Sequence, residues 1–233
     1  MAATVYLIPS LLHEEGLASI PSYITGIVKQ CRVLFVENER TARRYLKTLA
    51  KEIVIDDYDW FAMANDNETA ASFRKKVKEG KTIGIISEAG CPGIADPGQQ
   101  LVAIAHEMNV EVKPLVGPNS ILLALMASGM NGQQFRFAGY LPIQNPERNK
   151  AIKELESEST KKNCTQIFIE TPYRNNQLLD ALLAACNPST KICIAVDLTS
   201  EQEFIKTRSV NDWKKDKPDI HKRPAIFLLY ASS

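Results

Sequence analysis

Short β-branched runs alternate with longer amphipathic stretches along this 233-residue chain, and this alternation constrains the fold more than any other feature. Such an order is typical of βαβ units, whose strands lie largely parallel in a sheet. The near-continuous apolar runs IGII and IFI also indicate strands that are covered on both faces. We expect nine strands, over 5–8, 33–36, 83–86, 110–116, 135–138, 166–169, 192–196, 204–207 and 225–230.

A proline-containing segment, GYLPIQNPERNK, interrupts this alternation and predicts a linker. We therefore expect a domain boundary between Leu141 and Pro146, with an N-terminal α/β domain over 1–141 and a C-terminal one over 146–233. A helix rich in charged residues is predicted directly after the boundary, from about Glu147 to Glu158.

Composition excludes several classes of protein. The formal net charge is +1, so the molecule as a whole does not attract polyanions. The five cysteines include no CxxC pair and the three histidines show no paired ligand spacing, so neither a metal site nor a disulfide framework is predicted. The N-terminus lacks the basic and apolar regions of a signal peptide, and no apolar run reaches the length of a membrane span. We expect a soluble protein of the reducing cytoplasm.

The segment TIGIISEAGCPGIADPGQQL is the most informative part of the sequence. A buried strand is predicted to end at Ser87, where ligands of open α/β sheets bind. Gly90 and Gly93 then allow the backbone to approach a ligand closely. Asp96 is predicted as the N-cap of the next helix, with Pro97 at its first position. Taken alone, the segment would favour a tight strand-to-helix connection without a site.

A second strand end of this type follows in VKPLVGPNSILLALMASG. Gly117 and Pro118 predict a turn, and Asn119 or Ser120 caps a helix whose free N–H groups are able to meet a polar ligand. The helix is also expected to be part of the core. Two such strand ends in consecutive units would form one crevice.

The segment VENERTARRYLKTLAKE predicts an amphipathic helix with a basic outer face. Arg40, Arg43, Arg44 and Lys47 are spaced to share that face, which favours contact with phosphates. The alternative is a solvated surface, the usual role of a charge run. Glu37 lies at the strand end just before this helix.

The segment TQIFIETPYRNN repeats the strand, loop and helix order in the second domain, with Glu170 at the strand end and Arg174 at the helix start. Glu170 is predicted either to form a cap or an ion pair, or to face a cleft between the domains. The motifs GxGxxG, GxxxxGK[ST] and GxSxG do not occur, which disfavours dinucleotide enzymes, P-loop hydrolases and α/β-hydrolases.

Four segments, in the same order, resemble signatures of methyltransferases with the tetrapyrrole methylase fold. SEAGCPGIADPGQQLV resembles the Ser-Asp-Ala-Gly-Thr-Pro-x-x-x-Asp-Pro-Gly signature of that fold, with Cys91 in place of threonine. The segments PLVGPNSILLALMASG, VENERTARRYL and FIETPYR resemble the branch that 2′-O-methylates a cytidine ribose in 16S ribosomal RNA. The chain departs from that branch after its first strand, where PSLLHEEG replaces Pro-Ile-Gly-Asn-Leu-x-Asp.

The resemblance implies two αβα domains, a mostly parallel N-terminal sheet and a mixed C-terminal sheet, with S-adenosylmethionine bound in the cleft between them. It further implies methyl transfer to a ribose of ribosomal RNA and a homodimer. Methylation of a small anionic molecule such as a tetrapyrrole precursor, or cofactor binding without turnover, remain alternatives. The implied cofactor contacts are Ile8, Gly90, Cys91, Pro92, Ile94, Ser120, Ile121, Glu170, Leu198 and Ala225. Glu37 and Glu170 are the candidate catalytic bases, and Arg40, Arg43, Arg44 and Arg174 are the candidate substrate contacts.

Overall fold

The chain folds into two compact units, Met1–Asn119 and Ser120–Ser233, in a computed structural model that describes residues 3–63 and 67–231. Each unit contains one β-sheet with helices packed on both faces. Among the described helices, none combines the length and the apolar character needed to cross a bilayer.

The described residues of the N-terminal unit form a five-stranded sheet in which every pair of neighbours is parallel, in the order β3-β2-β4-β1-β5. The parallel character predicted for this domain is confirmed. The elements of this unit are β1 (Thr4–Ile8), α1 (Ile24–Gln30), β2 (Val33–Val36), α2 (Glu39–Leu49), β3 (Asp59–Ala62), α3 (Asn67–Lys78), β4 (Thr82–Ile86), α4 (Gln99–Glu107) and β5 (Glu111–Pro114).

The apolar strands of this sheet are buried on both faces. On one face Leu34 packs in a cluster with side chains of α1 and α2, including Ile24 and Leu46. On the other face Phe35 packs with side chains of α3 and α4, and its ring is 5.2 Å from that of Phe73. Because all four residues of β2 are buried, the strand shows no polar alternation in the sequence.

The described residues of the C-terminal unit form a mixed five-stranded sheet in the order β6-β7-β10-β8-β9. Only the β6–β7 pair is parallel, so the predicted mixed character is confirmed. One face packs on α6, α7 and α8, and α5 packs against β8, β9 and β10. The elements are α5 (Ser120–Ser128), β6 (Phe135–Tyr140), α6 (Glu147–Lys162), β7 (Thr165–Ile169), α7 (Asn175–Ala185), β8 (Lys191–Val196), β9 (Phe204–Ser209), α8 (Val210–Lys215) and β10 (Ala225–Tyr230).

All nine predicted strands are present, but the sequence analysis missed β3. This strand has only four residues, begins with an aspartate and lies at the sheet edge, so it carries no long apolar run. The division between the units falls after Asn119, earlier in the chain than the boundary expected at 141–146. It falls there because α5 and β6 pack with the later strands of the C-terminal unit.

The prediction that Asp96 caps α4, with Pro97 at the first helical position, is wrong. The N-cap residue is Gly98, which has φ +118°, and the helix begins at Gln99. A side chain is disfavoured at this φ, so the turn into α4 depends on a glycine. Asp96 is thereby left outside the helix.

The loop that follows β5 packs tightly against the loop that follows β1. A Cβ atom added to Gly117 would lie 2.1 Å from Cβ of Pro9 and 2.4 Å from its Cγ. These distances are far inside van der Waals contact, and the proline ring is rigid. The two loops therefore keep their spacing only with glycine at position 117.

We predict that Gly117→Ala destabilises the protein by about 1–3 kcal/mol, the usual cost of overpacking. Gly26→Ala is the matched control, because no atom lies within 4 Å of a Cβ at that position in α1. The control should be neutral or gain up to about 1 kcal/mol from helix propensity. Urea unfolding of both variants measures the difference, and equal midpoints would contradict the packing argument.

Candidate functional site

The carboxyl ends of β1, β2, β4 and β5 meet at one edge of the parallel sheet in the N-terminal unit. Ile8 ends β1 and is fully buried, Glu37 follows β2, and Ser87 follows β4. Ligands of open α/β sheets bind beyond this edge. The strand ends singled out in the sequence are therefore brought together here.

Ser10 joins the loop after β1 to the loop after β4. Its backbone N–H donates to the carbonyl of Gly90 at 2.8 Å, and its hydroxyl donates to the carbonyl of Ser87 at 3.0 Å. The thiol of Cys91 lies 3.4 Å from the carbonyl oxygen of Pro118, which links the same loop to the one after β5. Three strand-end loops thus form one hydrogen-bonded layer above the sheet.

The loop over 88–98, called the glycine loop below, has an unusual backbone. Positive φ angles occur at Gly90 (72°), Gly93 (81°), Ala95 (62°) and Gly98 (118°). A Cβ at Gly90 would lie 3.2 Å from Leu12 and 3.3 Å from the Pro118 carbonyl, so packing within the unit already requires this glycine. Backbone strain at a non-glycine residue such as Ala95 is concentrated at functional sites.

Three carboxylates lie together at the base of the glycine loop. Glu37 accepts a hydrogen bond from the backbone N–H of Glu88 at 2.8 Å, so β2 and the glycine loop are connected. Burial, the charge of Glu37 and that of Glu88 raise the pKa of Asp96 to about 6, and a hydrogen bond with Ser87 offsets part of this rise. Such a pKa is typical of functional carboxylates. The sequence analysis assigned Asp96 to a helix cap and missed this environment.

A pocket of about 500 Å³ lies beside this cluster. Its wall combines the loop after β1, one face of α2 and the start of the glycine loop. The side chain of Tyr45 closes part of it, because its hydroxyl donates to the carbonyl of Pro9 at 2.6 Å. The lining residues are Ser10, Leu11, Leu12, His13, Glu14, Thr41, Arg44, Tyr45, Thr48, Glu88 and Ala89.

The basic residues of α2 do not form one uniform face. Arg44 lines the pocket, with Nη1 at 3.5 Å from a carboxylate oxygen of Glu14. Arg40 is exposed at the first turn, where Asn38 caps the helix. Arg43 instead pairs with Glu39 at 2.6 Å and its guanidinium lies 5.0 Å from the ring centroid of Trp60. The structure thus separates Arg43 from the other two arginines.

The remaining cofactor candidates of the glycine-loop region differ in exposure. Pro92 is buried, while Ile94 is 46% exposed and presents an apolar side chain to solvent. Ser120 and Ile121 start α5 and belong to the C-terminal unit, with Ile121 buried.

Glu170, Leu198 and Ala225 lie at one edge of the C-terminal sheet. β10 runs antiparallel to β7 and β8, so its first residue is level with the last residues of those strands. The Glu170 carboxylate accepts hydrogen bonds from Arg174 and from the backbone N–H of Thr171, both at 2.7 Å. Burial alone would raise the pKa of Glu170, but the Arg174 and Thr171 hydrogen bonds and the Arg174 charge lower it. Glu170 is therefore an ionised, paired carboxylate.

No group of three or more histidine, cysteine, aspartate or glutamate side chains suited to a metal ion occurs within 3–63 and 67–231. All five cysteines are free, and burial raises the pKa of the Cys31 thiol to about 12.

Comparison with known proteins identifies the family. The model of the tetrapyrrole (corrin/porphyrin) methylases matches residues 25–212. The chain belongs to the tetrapyrrole methylase family. The match includes the glycine loop, α2 and the strand end at Glu170.

Family members with similar sequences are named ribosomal RNA small subunit methyltransferase I. The one from Escherichia coli is 31% identical over 168 residues, covering 71% of this chain and 57% of the relative. The one from Micromonospora olivasterospora is 30% identical over 208 residues, covering 89% of this chain and 63% of the relative. The chain therefore spans roughly three fifths of the length of these two relatives.

Solved structures of methyltransferases share the fold at low identity. The methyltransferase CobJ aligns with a TM-score of 0.62 and 16% identity, covering 98% of this chain and 93% of that one. A uroporphyrin-III C-methyltransferase from Thermus thermophilus, complexed with S-adenosyl homocysteine, aligns with a TM-score of 0.58 and 14% identity, covering 97% of each chain. These similarities establish the tetrapyrrole methylase fold for this chain.

The environment of Asp96 predicts a pH-dependent effect of its removal. Its pKa is higher in the folded protein, about 6, than the ordinary 3.8, so ionisation of Asp96 costs stability as pH rises through this range. We expect Asp96→Asn to stabilise the protein near neutral pH, on the order of 1 kcal/mol after solvent screening. Below pH 3.8 the carboxyl is protonated in both states and the gain should vanish.

Urea unfolding of Asp96→Asn and of the parent, near neutral pH and below pH 3.8, measures this effect. Asp56→Asn is the matched control, because it removes an exposed carboxylate from the same unit. A gain that persists unchanged below pH 3.8, or an equal gain in the control, would contradict the assignment.

Proposed function

We propose that this protein is an S-adenosylmethionine-dependent methyltransferase that methylates a ribose 2′-hydroxyl in ribosomal RNA. The observation that carries the proposal is the glycine loop, anchored at the carboxyl edge of the parallel sheet in a chain of the tetrapyrrole methylase family. The names of the similar relatives support ribosomal RNA as the substrate. Such an enzyme would act in the cytoplasm, where its substrate is.

The residues at this edge fit the chemistry of the cofactor. S-adenosylmethionine carries a sulfonium, an ammonium group and an aromatic base. Glu37, Glu88 and Asp96 supply negative charge near the glycine loop, and exposed Ile94 supplies an apolar surface. A bound cation beside Asp96 would also relieve the repulsion that raises its pKa. We propose that the glycine loop holds the cofactor, with Gly90, Cys91, Pro92 and Ile94 as contacts.

The cofactor supplies an electrophilic methyl group on sulfur. The protein would orient the ribose hydroxyl toward that methyl group, and orientation of this kind contributes roughly 7–11 kcal/mol in favourable cases. An O–CH₃ bond forms as the CH₃–S bond breaks, and the hydroxyl proton passes to a base. Glu37 is the better placed of the two predicted bases, because Glu170 is paired with Arg174. Asp96, with its pKa of about 6, is a further candidate base beside Glu37.

The pocket beside α2 is the proposed position of the acceptor nucleotide. It lies next to the carboxylate cluster, since Glu88 belongs to both. Arg40 and Arg44 are the proposed phosphate contacts of α2, although Arg44 lies 3.5 Å from Glu14, and Arg43 is engaged with Glu39 and Trp60. A homodimer is proposed from the family resemblance, and analytical ultracentrifugation tests it: a monomer at micromolar concentration would refute it.

The cofactor proposal predicts binding of S-adenosyl homocysteine, measurable by calorimetry and by a rise in melting temperature. Ile94→Glu should weaken this binding at least tenfold, because it places a charge on the proposed apolar contact. Val54→Glu is the matched control. Val54 is 54% exposed and precedes β3, so it lies toward the amino ends of the strands, away from the glycine loop at their carboxyl ends. If the parent binds no cofactor, or if both variants bind it like the parent, the glycine loop is not the site.

The substrate proposal predicts that Arg40→Ala combined with Arg44→Ala weakens RNA binding and flattens its salt dependence. Each phosphate contact contributes about one unit to the slope of log K against log salt. Lys75→Ala combined with Lys78→Ala is the charge-matched control on α3, which packs on the opposite face of the sheet.

Filter binding of ribosomal RNA fragments at several salt concentrations measures both variants. Equal losses in the two double variants would indicate non-specific attraction only. If the parent binds no RNA but retains cofactor binding, a small anionic acceptor is favoured. If it also methylates no small-molecule acceptor, a non-catalytic binding module is favoured.

A further inference from the structure

An exposed aromatic side chain with basic neighbours lies at the edge of the C-terminal sheet. Tyr173 lies in the turn Pro172–Arg174 that follows β7, and it is 68% exposed. The ammonium group of Lys222 lies 5.8 Å from its centroid. The His221 ring lies 6.1 Å from it at an interplanar angle of 77°. These three residues are called the Tyr173 cluster.

The Tyr173 cluster is held in place by the backbone. The N–H of Lys222 donates to the carbonyl of Pro172 at 2.9 Å, and the amide of Asn175 donates to the carbonyl of Arg223 at 2.6 Å. Lys222 has a positive φ of 61°, a conformation disfavoured for a side chain of its kind. Two separate loops are thereby fixed so that the tyrosine and the lysine stay together, although neither side chain is needed to fill the core.

The position of the cluster connects it to residues implied in cofactor binding. Tyr173 follows Glu170 closely in sequence, and Lys222 closely precedes Ala225. A second exposed aromatic side chain, Tyr140, ends β6 at this same sheet edge and is 62% exposed. This sheet edge, at which β7 ends just before Glu170, therefore presents two aromatic rings and the Lys222 ammonium group.

Exposed tyrosine rings with adjacent cations are suited to single-stranded RNA. An unpaired base stacks on the ring, and the neighbouring ammonium group interacts with a phosphate. The exposed cation–π contact itself would contribute only about 0.5–1 kcal/mol to stability.

We propose that the Tyr173 cluster is a stacking platform for an unpaired base of the RNA substrate. This proposal rests on the proposed function, because it assigns to that enzyme a contact with an unpaired nucleotide of its RNA substrate. It implies that single-stranded RNA is preferred over the same sequence in a duplex, whose bases are stacked on one another.

Fluorescence anisotropy with a short fluorescein-labelled RNA, single-stranded or annealed to its complement, tests the proposal. Tyr173→Ala should weaken binding of the single strand about tenfold, which equals about 1.4 kcal/mol and lies within the range for one base–aromatic stack. Tyr173→Phe keeps the ring and should bind like the parent. Phe135→Ala is the matched control, since Phe135 is also an exposed aromatic residue of this unit but begins β6 at the opposite sheet edge.

Three results would overturn the proposal: parent-like binding by Tyr173→Ala, an equal loss in Tyr173→Phe, or an equal loss in Phe135→Ala. Absence of RNA binding by the parent would also overturn it. Calorimetry with S-adenosyl homocysteine on the same samples separates this failure from a failure of the proposed methyltransferase function. Cofactor binding is expected to be the same in all four proteins, which also shows that each is folded.

Discussion

The two hydrogen bonds of Ser10 determine the position of the candidate cofactor site. Its N–H and hydroxyl connect the loop after β1 to the carbonyls of Gly90 and Ser87, and Ser10 itself is buried. Buried bonds of this kind are costly to lose, because the carbonyls would have no other partner away from water. The glycine loop is therefore held close to the strand ends. Ala95, farther along this loop, has a φ of 62°, a conformation that a non-glycine residue adopts only when the surrounding structure imposes it.

Electrostatics gives the carboxylates of the two units different roles. Glu170 is nearly inaccessible to solvent, but Arg174 and the Thr171 N–H keep it ionised. Burial of the Asp96 carboxyl and the charges of Glu37 and Glu88 instead raise its pKa. A carboxylate paired with a cation holds a loop in place, whereas one close to other negative charges is poised to accept a proton or a cation. This contrast, more than position in the sequence, favours the Glu37–Asp96 region for chemistry.

Much of the fold was predictable because buried parallel strands such as β2 and β4 leave continuous apolar runs. β3 was not, since this four-residue edge strand has no apolar pattern of its own, although Phe61 stacks on Phe35 of the neighbouring strand. For the site, strand-end glycines predicted a loop at the carboxyl edge of the parallel sheet, where the structure has the glycine loop, but the sequence did not show that Asp96 lies beside Glu37. The Tyr173 cluster was also unpredictable, because antiparallel pairing of β7 with β10 brings its two loops together.

The segment PSLLHEEG stands after the first strand in place of the family's Pro-Ile-Gly-Asn-Leu-x-Asp. This difference has a structural consequence at the pocket proposed for the acceptor nucleotide. Glu14, which belongs to this segment, lies 3.5 Å from Arg44 at the pocket wall. A phosphate approaching Arg44 would have to compete with that carboxylate, although exposed pairs of this kind are weak. Glu39 reduces the availability of Arg43 in the same way. The basic face of α2 is thus partly neutralised by this chain's own acids. A ring such as Tyr173 is unaffected by this neutralisation, so stacking would contribute relatively more to RNA recognition here than phosphate contacts along α2.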